Sequence, residues 1–103
     1  MARGDVVNNI ADVAAGTYLS YQPAAGVEAM ITTVGINRVV GTAKDIAICW
    51  NANQIYRIFS VNTTAAVTPE LSLKLFINNT NYLSIWNNAA GTERISYCGI
   101  QTK

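Results

Sequence analysis

Apolar and polar residues alternate with a period of two along much of this 103-residue chain, the pattern of half-buried β-strands. Leu71, Leu73, Leu75 and Ile77 alternate with Ser72, Lys74 and Phe76 and make the cleanest amphipathic strand. The stripe from Leu71 to Ile77 is expected in the core and Lys74 in water. Tyr18 to Gln22 alternates and stops at Pro23, while Val27 to Ile36 follows Gly26 with a run of stiff β-branched residues. Asp45 to Trp50 sets Ile46, Ile48 and Trp50 on one face, and Asn51 to Asn53 turns the chain. Ile55 to Val61 places Ile55, Phe59 and Val61 on one side, with Arg57 the odd member. Asn78 to Asn81 reads as a hairpin loop, because Asn tolerates the positive φ of tight turns. Tyr82 to Trp86 returns, Asn87 to Gly91 turns again, and Glu93 to Ile100 is the last strand. Strands at this spacing predict an all-β fold, a small antiparallel β-sandwich, jelly-roll-like, with seven to eight strands.

The uncertain count comes from the N-terminal segment. Val6, Val7, Ile10, Val13 and Ala14 fit one face of a helix that Asp5 would cap. The same residues also read as an eighth strand, or as an arm without a partner in its own subunit. The expected division is therefore an N-terminal arm or first strand over 1–15 and a β-sandwich domain over 16–103. Arg3-Gly4-Asp5 spells an integrin-type adhesion tripeptide, but it stands at a terminus, where chains are loose unless tied down. The arm reading makes Arg3, Asp5, Val6, Val7, Ile10 and Val13 the candidate docking residues, with Gly4 a flexible joint.

Composition sharpens this picture. Half the residues are hydrophobic but only 13% are charged, against about 25% in an ordinary soluble domain. Asn and Thr supply the missing polarity, and a net charge of +1 gives little self-repulsion. Such a surface lacks the usual deterrents to association, so a homo-oligomer is expected. The dispersed basic residues make no stripe that would track phosphates, which argues against a nucleic-acid partner. No apolar run approaches the ~20 residues of a membrane span. No charged leader precedes an apolar stretch, and a protein made and kept in a cytoplasm, or leaving it within a particle, is expected.

Catalytic parts are lacking. The chain has no His, which removes Ser-His-Asp and Cys-His pairs and the usual base near neutral pH. Its acids, Asp5, Asp12, Glu28, Asp45, Glu70 and Glu93, fall mostly at strand ends and turns and are expected to be solvated. No enzyme activity, cofactor or metal is expected. Cys49 and Cys98 are expected to be reduced and unbridged. An alternative reading has one candidate recognition site: Trp86 beside Asn87 and Asn88 offers a ring and amide donors suited to a glycan.

The opening MARGDVVNN, the stretch TYLSYQP and the close ERISYCGIQTK, with its aromatic-x-Gly step, resemble short bacteriophage virion structural proteins of the capsid decoration (cement) or small head-spike and fibre type. The resemblance spans the chain loosely through short motifs and carries no catalytic residues. It implies a virion β-sandwich, most simply a decoration protein bound to the major capsid protein on the outer shell as a symmetric oligomer, a trimer. The alternatives are a receptor- or glycan-binding tip of a phage fibre and a small host-directed regulatory phage protein.

Overall fold

A computed structural model describes residues 3–36, 44–63, 70–89 and 91–103. Eight strands follow one another: β1 (Val6–Val13), β2 (Tyr18–Tyr21), β3 (Glu28–Ile36), β4 (Lys44–Trp50), β5 (Arg57–Thr63), β6 (Glu70–Asn78), β7 (Leu83–Asn87) and β8 (Glu93–Gln101). They form two four-stranded antiparallel sheets, a front sheet ordered β1-β8-β3-β6 and a back sheet ordered β2-β7-β4-β5. Successive strands mostly switch sheets, which is the jelly-roll arrangement of a β-sandwich.

The alternation read from the sequence sets the core. In the front sheet Val7, Gly99, Ile31 and Leu75 lie in one cross-strand row, and Val7, Ile31 and Leu75 are buried. Leu19, Ile85 and Ile48 form the facing row of the back sheet. Ile31, Ile46, Leu83, Ile85 and Ile95 are among the largest fully buried side chains, each contributing about 1.5–3 kcal/mol. Leu75 and Ile77 are buried, Leu73 packs against the core, and Ser72 and Lys74 face water. The side chains of Leu71, Val61 and Glu70 lie outside the described residues.

The N-terminal segment is a strand, not a helix: β1 pairs along its length with β8 of the same chain, from Val6 opposite Ile100 to Val13 opposite Glu93. A lone helix this short is marginal in water, whereas the edge of β8 offers a full ladder. Gly4 is no loose joint, since its N–H donates to the Gln101 carbonyl at 2.7 Å and Gln101 N–H donates to the Asp5 carbonyl at 2.9 Å.

Two further expectations change. Ile55 does not enter a strand. The Trp50 N–H donates to the Tyr56 carbonyl, closing a turn that leaves Ile55 80% exposed. The ladder begins at Arg57, and a register shift opposite Ile48 and Cys49 sends Arg57 to the outer face. Glu93 is buried rather than solvated, because it stands on the same inward register of β8 as Ile95 and Tyr97.

Gly99 answers a close approach. A Cβ there would collide with the Met30 carbonyl oxygen and the Ile31 Cα, beside the irregularity in β3 between Ile31 and Thr33. The aromatic-x-Gly step at Tyr97 to Gly99 is thus a packing requirement.

Candidate functional site

The inward register of the front sheet fills the core, so its outward register is left in water. Val6 pairs with Ile100, Ile100 with Met30, and Met30 with Phe76. These four residues form one apolar row across all four strands. Val6 is 62% exposed, Phe76 66%, and Ile100 and Met30 are partly exposed. Farther along β1, Ile10 is 63% exposed and borders a shallow depression lined by Asn8, Thr33, Ser96 and Cys98. The far end carries one exposed ion pair, Arg94 Nε to Asp12 Oδ1 at 3.0 Å. That hydrogen bond and the guanidinium charge hold the Asp12 carboxyl below its usual range and raise Arg94. Lys74 and Glu28 share the outward register of Phe76 and Met30 and flank them, while the row itself is uncharged and offers shape and apolar contact.

The residues expected to dock divide by register. Arg3, Asp5, Val6 and Ile10 are exposed, and Val6 and Ile10 belong to the outward face. Val7 and Val13 are buried in the chain's own core and have no surface to offer a partner. Sequence reasoning missed Met30, Phe76 and Ile100. Phe76 had a local signal, an aromatic ring on the polar side of an amphipathic strand.

The glycan residues do not form the expected platform. Asn87 is fully buried: its Nδ2 donates to the carbonyls of Val13 (2.8 Å) and Gly91 (3.0 Å), and its Oδ1 accepts from Ala89 N–H (2.9 Å). It pins the end of the back sheet to the front sheet, so it has no free donor for a sugar. Trp86 is half-buried, with Tyr18 stacked at 6.3 Å between centroids and the Arg57 guanidinium 5.2 Å from its centroid. Asn88 is exposed and donates to Asp45 Oδ2 at 2.8 Å.

The thiols are unbridged, with Cys49 buried and Cys98 exposed. Burial pushes the Cys49 thiol up against a smaller opposing effect of Arg57. Between the sheets Tyr21 stacks on Tyr97 at 5.8 Å, and burial raises both hydroxyls. The Tyr21 hydroxyl is buried with no hydrogen-bond partner among the described residues.

No family model and no curated protein sequence matches the chain. Among solved structures it is similar to the core of Drosophila NLP, described in terms of pentamer formation and histone binding. The TM-score is 0.56 at 10% identity, over 91% of this chain and 98% of that one. At that identity the likeness is one of fold alone.

Proposed function

We propose that the protein is a structural component of a bacteriophage particle, a decoration protein that binds the major capsid protein on the outer shell as a symmetric oligomer and reinforces it. The observation that carries this reading is the open front face, with Val6, Ile100, Met30 and Phe76 in register across four strands and no charge among them. An exposed apolar patch of this kind is a mark of an interaction surface. Because the row itself carries no ions, burying it avoids most of the desolvation penalty of charged groups, with Lys74 and Glu28 beside it. A standard interface removes about 800 Å² from each partner, which would engage the row together with Ile10 and the Asn8–Thr33–Cys98 depression. The jelly roll is a fold of viral shells and lectins alike, and the pentamer of the NLP neighbour is an analogy for ring assembly at the level of fold only.

The test is the particle itself. Quantitative mass spectrometry of purified virions should find hundreds of copies, and Phe76→Lys and Val6→Lys should abolish shell binding while the melting temperature holds. A few tens of copies would favour a fibre component. Absence from the particle would overturn the proposal and favour the regulatory reading.

A further inference from the structure

A second feature lies at the end of the sandwich away from Asn87 and Asn88. The β4–β5 turn and the β6–β7 loop enclose an open cleft of ≈ 640 Å³, within the size range of small-ligand sites. Trp50, Tyr56 and Phe76 give it aromatic surface, Ile55 adds an aliphatic wall, and Asn51, Asn78 and Asn81 bring three side-chain amides.

The turn that carries Ile55 and Tyr56 is held from several sides. Asn51 and Ala52 both adopt left-handed backbone, with φ of 59° and 52°, a conformation that Ala disfavours. Ala52 N–H donates to Ser84 Oγ at 2.7 Å, and Asn51 Oδ1 accepts from Tyr82 N–H at 2.8 Å. Asn53 Oδ1 accepts from Ile55 N–H, and Arg57 Nε donates to the Gln54 carbonyl. This ordered turn holds Ile55 and Tyr56 in water at 80% and 56% exposure. Fixing two large side chains there forfeits their burial, and a preorganised site for a ligand is the return.

The polar groups select the ligand. Backbone N–H groups of Trp50, Ile55, Tyr56, Thr80, Asn81 and Tyr82 are all already bonded within the chain, so the cleft offers little main-chain recognition to a peptide. Asn78 Oδ1 accepts from both Thr80 and Asn81 N–H, at 3.0 and 2.7 Å. That orients the side chain and leaves its NH₂ uncommitted among the described residues. Asn81 Oδ1 accepts from Asn51 Nδ2 at 3.5 Å, and among the described residues the Asn81 NH₂ has no partner. Among the described residues no carboxylate lines the cleft, and the guanidinium of Arg57, the one cation among them, lies over Trp86. A phosphate or nucleic acid would need a denser set of cations. Neutral donors beside aromatic rings suit a ligand with hydroxyl acceptors around an apolar face.

We propose that this cleft binds a neutral oligosaccharide, with Tyr56 and Phe76 packing against sugar rings and the amides of Asn78 and Asn81 donating to hydroxyls. The cleft shares Phe76 with the front face, but its test needs only the isolated chain and so stands apart from the particle reading. ¹H–¹⁵N spectra of the full chain would be recorded with maltotriose, cellotriose and triacetylchitotriose, each at about 10 mM, where a millimolar site is close to saturated. At least one sugar should shift the Trp50 indole and the Asn78 and Asn81 side-chain amides saturably, and leave the Asn88 amide at the other end unmoved. Asn78→Asp keeps the acceptor that braces the loop and removes the donor. It and Tyr56→Ala should each weaken binding about tenfold or more with the melting temperature unchanged. Failure of all three sugars to bind, shifts spread outside the cleft, or variants that bind as well as the parent chain would overturn the proposal. So would a Tyr56→Ala chain that changes its oligomeric state in sedimentation, because the cleft would then be an interface between copies.

Discussion

The two outer faces of the sandwich have opposite fates. On the back sheet Ala47, Cys49 and Ser84 face outward yet are buried. The β4–β5 turn folds back so that Ala52 N–H reaches Ser84 Oγ, and Tyr18, Trp86 and Arg57 stack beside it. On the front sheet nothing in the described chain covers Val6, Phe76 or Ile10. The chain thus builds its own lid on one face and leaves the other bare. What separates the two faces is the cover that one of them receives from the same chain.

The largest expected contrast is chemical, since each face carries one cysteine. Cys98 should react with an alkylating reagent at the rate of an exposed thiol. Cys49 should react slower by on the order of a hundredfold or more, waiting for the fold to open, and its raised thiol pKa acts in the same direction. Peptide mapping after timed quenching gives both rates. Equal rates would break the comparison, and protection of Cys98 on the particle would show the front face covered.

Substitution sharpens it next. Trp86→Ala on the lidded face should cost about 2 kcal/mol, since it removes ring packing and the cation–π contact. Phe76→Ser on the bare face should stay within about 0.5 kcal/mol. Urea unfolding of both variants measures the difference. Comparable losses would mean that Phe76 stabilises the fold itself.

Tyr21 probes the interior between the faces. Its hydroxyl is buried with no hydrogen-bond partner among the described residues, so Tyr21→Phe should raise stability by about 1 kcal/mol. The stacked Tyr21 and Tyr97 hydroxyls both have raised pKa values. The stability this represents is complete below the unfolded tyrosine pKa of about 10 and is lost as pH rises through the folded values. Alkaline melting curves should therefore fall beyond that pH, less steeply in the Phe variant.

The smallest effect belongs to Asp12 and Arg94. The lowered Asp12 pKa adds stability above the usual aspartate range that is lost as pH falls through the folded value. Both groups are exposed, so Asp12→Asn should flatten the acid limb only slightly, and 1 M salt should do the same.

Much of the fold was legible because one face of each sheet is buried and the alternation records it. Leu75, Ile77, Ile46 and Ile48 all point where their period places them. The open row was not legible. Val6, Met30, Phe76 and Ile100 are scattered along the chain, and only the pairing register brings them into line. The shift opposite Ile48 and Cys49 that turns Arg57 outward leaves no local mark either. Asn87 was misread for a related reason. In a turn-rich string an amide looks solvated, and the carbonyl of Val13 that it binds is distant in sequence.

The position of β8 has a kinetic consequence. The last strand in chain order lies inside the front sheet, between β1 and β3. During synthesis β1 therefore has no partner until β8 begins to emerge at Glu93 and completes its ladder only with Ile100, and only the β3–β6 pair of that sheet can form earlier. Long-range pairing of this kind folds in milliseconds to seconds rather than microseconds. While it waits, the nascent chain displays Val7 and Val13 as well as Val6 and Ile10, so the risk of aggregation peaks just before the final strand closes.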